Sequence, residues 1–228
     1  GVNLEESHRH HSHLAGIVPF DTLELDDPRW SAIVARSLAH WIRLGPGLWS
    51  GWCVPWASMV HTRVGNADAA EMWLEIWERV FTNEGHGTLH DVRFPGFSLM
   101  GMGGTAIHRS RGEIMQIEAG MSCVAAIQEM LLHVRGGVTY LFGGAPAGWR
   151  RTGFTRMRTH GGFLLSASRR DGVVGPVAVE STAAATLRLA NPWGQQAVVR
   201  RTGSTERLAG GILQVQARAG ETLAIAAR

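Results

Sequence analysis

The chain has 228 residues, of which 45% are hydrophobic and 18% charged, and its formal net charge is +3. That length allows one or two domains, and that composition excludes a disordered chain. The basic residues are all Arg and are scattered rather than gathered on one stretch, which argues against a nucleic-acid reader, and no run of the sequence is long and apolar enough to span a membrane.

Asp27-Pro28 is a helix start, with an acid at the N-cap and Pro at the first helical position. Trp30, Val34, Leu38 and Trp41 then recur at helical spacing, and Gly45-Pro46-Gly47 ends the helix. A second helix is predicted from about Val54 to Arg63, broken by Gly65-Asn66. A third follows, with Asp68 in its first turn and Met72, Trp73, Ile76, Trp77 and Val80 on one stripe. Thr82 to Thr105 is rich in Gly and His and reads as a long loop, a class that is often functional. A fourth helix is predicted over about Ala119 to His133.

After Pro146 the pattern changes. Gly162–Arg170 and Val173–Ser181 read as strands joined by an Asp171-Gly172 hairpin turn. Thr186–Ala190, Ala197–Arg201, Ile212–Arg218 and Thr222–Ala226 read as further strands. The expected organisation is a helical domain over residues 1–150 and an antiparallel β-sandwich over 151–228.

Three features carry candidate chemistry. Ser7-His8-Arg9-His10-His11-Ser12-His13 could bind a metal, but it lacks the helical His pair with an intervening Glu of a catalytic zinc site. Its imidazoles and guanidinium also suit sugar hydroxyls. Nine Trp stand against one Tyr, and five of them lie between Trp30 and Trp56. Clustered Trp packs helices together, and it also makes the flat apolar platforms on which sugar rings stack. Glu118 precedes the small residues Ala119 and Gly120 at the start of the fourth helix, where it either complements the helix dipole or faces a ligand. Cys53 and Cys123 have neither metal-ligand nor disulfide-framework spacing and read as buried thiols.

His8-Arg9-His10-His11-Ser12-His13-Leu14-Ala15-Gly16, followed by Pro19, resembles the His-Arg-His-x-Ser-His-Leu-x-Gly segment of glycoside hydrolase family 95, which contains inverting α-L-fucosidases and related enzymes. Gly51-Trp52-Cys53-Val54-Pro55-Trp56 is similar to that family's Gly-Trp-Ser-x-x-Trp helix, and Met115-Gln116-Ile117-Glu118-Ala119-Gly120 to its Phe-Gln-Ile-Asp-Gly-Asn segment. The resemblance implies the closing helices of an (α/α)6 toroid followed by a β-sandwich. It also implies hydrolysis with inversion, with Glu118 at the general-base position and Arg9 and His10 at sugar-contacting positions; His13 of the His cluster and Trp52 and Trp56 as stacking platforms are further candidate substrate-binding residues. No metal or other cofactor is expected, and the partners implied are a carbohydrate substrate and the upstream part of the same enzyme.

Two departures from the family pattern bear on this expectation. Glu replaces Asp at the base and is one methylene longer. The family's general acid belongs upstream of the His-Arg-His segment, so the chain is expected to be an incomplete glycosidase piece. The alternative is a non-catalytic carbohydrate-binding remnant.

Overall fold

The computed structural model describes residues 4–101, 113–194 and 196–228. Among the described residues four α-helices are followed by eleven strands, the elements of a partial (α/α)6 toroid and an antiparallel β-sandwich. Two compact units divide between Ile127 and Gln128.

The helical unit follows its caps. Asp27 accepts the Arg29 N–H at 2.7 Å and starts α1, Pro28–Leu44, which stops at Gly45 with φ 71°. Helix α2 spans Cys53–Arg63. Asn66 accepts the Ala69 N–H at 3.2 Å and starts α3, Ala67–Val80. Helix α4 covers Ile117–Leu131, with Glu118 in its first turn.

The apolar stripe of α1 buries Val34, Leu38 and Trp41 in the same core as α2, whose residues are almost all buried. His11 lies at the centre of this core, fully buried, with the rings of Trp49, Trp41 and Trp56 centred 4.6, 5.0 and 5.4 Å from its own. Its Nδ1 accepts the Trp41 indole N–H at 3.3 Å and its Nε2 pairs with the Cys53 carbonyl at 3.1 Å, so the ring is neutral with its proton on Nε2. Burial pushes its pKa down to about 3. The Trp-rich stretch is therefore largely packing.

Strands begin earlier than the sequence pattern suggests. β1, Leu132–Arg135, and β2, Val138–Leu141, form a hairpin around Gly136-Gly137, both at positive φ. They occupy residues that read as the end of the fourth helix and the segment before residue 150. β3, Arg151–Thr159, pairs with β4, Phe163–Arg170, across a bulge between Phe154 and Met157. β4 turns at Asp171-Gly172 into β5, Val173–Val174, and Gly175-Pro176 separates β5 from β6, Val177–Ser181. β7 (Ala185–Ala190), β8 (Ala197–Arg201), β9 (Ser204–Leu208), β10 (Ile212–Ala217) and β11 (Thr222–Ala227) complete the unit.

The strands form two sheets, ordered β1-β2-β7-β10 and β3-β4-β6-β11-β8-β9, with β5 on β4. The pairing is antiparallel except for the β2–β7 contact. Leu187, Leu189, Leu213 and Val215 of one sheet meet Phe163, Leu165, Val179, Val199 and Ile225 of the other in one core. Period-2 alternation places them there: along β10, Leu213, Val215 and Ala217 point in while Ile212, Gln214 and Gln216 point out.

Candidate active site

The site belongs to the helical unit and is assembled by the segment between α3 and α4. Asn83 shapes the turn after α3 by accepting the N–H groups of Gly85 and Gly87 at 3.1 and 2.7 Å. Thr82 then pairs with Thr88, and Leu89 with Met115, as isolated antiparallel bridges. The His90 carbonyl accepts the Gly51 N–H at 3.0 Å, and the His90 N–H donates to the Ile114 carbonyl at 2.9 Å. The expected long loop is thus a tied segment lying between the start of α2 and the start of α4. Its residues 102–105 lie outside the described residues.

These ties leave a pocket of about 570 Å³ lined by Arg9, His10, Ser50, Trp52, His90, Gln116, Glu118 and Ser122. Four residues expected from the sequence meet there: Arg9, His10, Trp52 and Glu118. Glu118 is solvent-exposed, and one of its oxygens accepts from Gln116 Nε2 at 3.1 Å. Gln116 Oε1 in turn accepts the backbone N–H of Trp52 at 2.9 Å. The Trp52 ring is half-buried and edge-on to His10, with centroids 6.0 Å apart. Burial, then the charges of Arg9 and His8, lower the pKa of His10 and favour an imidazole that both donates and accepts.

Two expected residues do not reach this wall. Trp56 is 7% exposed and gives its indole N–H to the Val18 carbonyl at 2.9 Å, beneath Trp52 at a ring separation of 4.7 Å. One helical turn separates the two rings, Trp52 at the N-cap of α2 and Trp56 within it, and the inner one belongs to the core. His13 is exposed, in the short 3-10 turn Ser12–Leu14, and its neighbour Leu14 takes the buried position. Cys53 is buried; it donates to the Arg9 carbonyl at 2.6 Å, and burial pushes its thiol up to about 11, so it is an inert packing group that anchors the Arg9 backbone.

The sequence reading did not single out Ser50, His90, Gln116 or Ser122. His90 Nδ1 is 2.6 Å from Asp91 Oδ1, so the Asp91 carboxylate orients a ring on the pocket wall. No local pattern marks it, because the antiparallel bridges of the loop carry it in. Gln116 was legible only as a neighbour two residues before Glu118. Among the described residues, no group of three or more His, Cys, Asp or Glu side chains is placed to hold a metal ion.

A carboxylate steadied at one oxygen, beside an aromatic face and several hydroxyl-pairing groups, can bind a sugar ring and take a proton from water. A family profile described as the Glycosyl hydrolase family 95 catalytic domain matches residues 2–131. No curated protein matches the chain. The profile spans the whole pocket and more than half of the 228 residues, and the chain belongs to glycoside hydrolase family 95.

Proposed function

We propose that this pocket holds one sugar unit of an α-L-fucoside or a related glycoside and that Glu118 is the general base of its hydrolysis with inversion. The observation that carries this reading is the Trp52–Gln116–Glu118 chain of hydrogen bonds, which holds a carboxylate on the pocket wall beside a half-buried aromatic ring. Glu118 removes a proton from water as the water attacks the anomeric carbon, while an acid on the other face of the sugar protonates the departing oxygen. In inverting enzymes the two carboxyls stand about 6.5–9.5 Å apart, with the water between them. Arg9 and His10 pair with ring hydroxyls, and Trp52 takes the apolar face.

The acid comes from an upstream part of the same enzyme, which packs beside this pocket. Support for such a covering element is the apolar seam of α4, where Ile117, Met121 and Val124, at helical spacing, are 61%, 68% and 54% exposed.

The test is hydrolysis of an aryl-glycoside panel by the longest natural polypeptide carrying this sequence, with the first-formed anomer read by proton NMR. The expected result is release of the anomer opposite to the substrate. Retention would contradict the mechanism, and sugar binding without hydrolysis would make the protein a carbohydrate-binding one.

A further inference from the structure

We propose that Gln116 is the positioning residue that sets the direction of the Glu118 carboxylate, an inference that rests on the reading of Glu118 as base. Gln116 is 5% exposed, and its backbone is fixed on both sides. Its N–H donates to the Thr88 carbonyl at 2.8 Å, and its own carbonyl accepts from Thr88 Oγ1 at 2.6 Å and from the Ala119 N–H at 3.1 Å.

The orientation of the side-chain amide follows from chemistry. The atom facing the Trp52 N–H must be an acceptor, so it is Oε1; the NH2 end is thereby aimed at Glu118. An exposed Glu has three rotatable side-chain bonds and no preferred direction of its own. The bond from Gln116 Nε2 engages Glu118 Oε1, and Oε2 is the atom we assign to the attacking water. A carboxylate one methylene longer than Asp gains the most from such a clamp. The same amide caps the backbone at the start of α2, so the aromatic platform and the base are set by one buried side chain. Gly51 reinforces it, since a Cβ there would come within 3.1 Å of Gln116 Oε1.

The experiment compares Glu118→Gln, Gln116→Met and Gln116→Glu in the longest natural polypeptide carrying this sequence. Gln116→Met keeps the length but removes the donor. Gln116→Glu keeps an acceptor for the Trp52 N–H and places a second carboxylate beside Glu118, so it carries the test if the Met variant fails to fold. For both Gln116 variants kcat should fall about tenfold to hundredfold with KM within about twofold, as expected for losing one hydrogen bond to a charged group in the reacting geometry. An inactive Glu118→Gln together with folded Gln116 variants of unchanged kcat would overturn the positioning role alone. Near-normal activity of Glu118→Gln would overturn the base assignment and this inference with it.

Discussion

Gly51 lies so close to the Leu89 carbonyl that a Cβ at position 51 would stand 1.9 Å from that oxygen. The approach is what lets the Gly51 N–H reach His90 and seats the loop between α2 and α4. Gly51→Ala should push the segment around Leu89 away, costing about 3 kcal/mol of stability by overpacking, read as a lower urea midpoint. Hydrolysis should fall as well, because His90 and Gln116 share the displaced wall.

Trp52 and Trp56 should separate in behaviour although they are one turn apart. Trp56→Ala removes a core ring and leaves the Val18 carbonyl without its donor, so it should cost about 3–5 kcal/mol in denaturant unfolding. Trp52→Ala should cost far less stability but weaken sugar binding about tenfold, the worth of one aromatic contact. Calorimetric titration with the free sugar released by the enzyme checks the second half.

The buried, neutral His11 predicts acid sensitivity of the helical unit. Its folded pKa, about 3, lies below the value near 6.5 expected in the unfolded chain, so between those values only the unfolded chain takes the proton. This contribution to stability is intact above about pH 6.5 and declines by about 1.4 kcal/mol per pH unit down to about pH 3. Urea unfolding at a series of pH values should show stability falling over that range, and His11→Leu should make the fall shallower.

Asp27 is an exposed cap whose side chain satisfies the Arg29 N–H. Asp27→Ala should cost about 1 kcal/mol, with helix α1 fraying first in hydrogen exchange.

The sequence carried the elements whose signals are local. Asp27-Pro28 marked one helix start and Gly65-Asn66 the break between two helices, and the alternation along Phe163–Arg170 and Ile212–Ala217 marked strands whose inner residues fill the sandwich. What escaped has physical causes. Leu132 to Arg135 continues the apolar pattern of α4, so helix and strand could not be told apart, although Gly136-Gly137 makes the hairpin turn between β1 and β2. The bulge after Phe154 interrupts the period of β3. β9 is a polar edge strand, almost entirely exposed, whose pairing comes from β8. In the site, Arg9, His10, Trp52 and Glu118 sit in stretches of recognisable motif. His90, Ser50 and the bonding of Gln116 depend on contacts between distant segments, and the depth that removes Trp56 from the pocket is a property of the packed core.

The most direct measurement is the kcat of Glu118→Gln in the longest natural polypeptide carrying this sequence, with folding checked by circular dichroism. Glu118 as general base predicts a loss of about a hundredfold to ten-thousandfold with the fold intact. Near-normal turnover of the folded variant would contradict it.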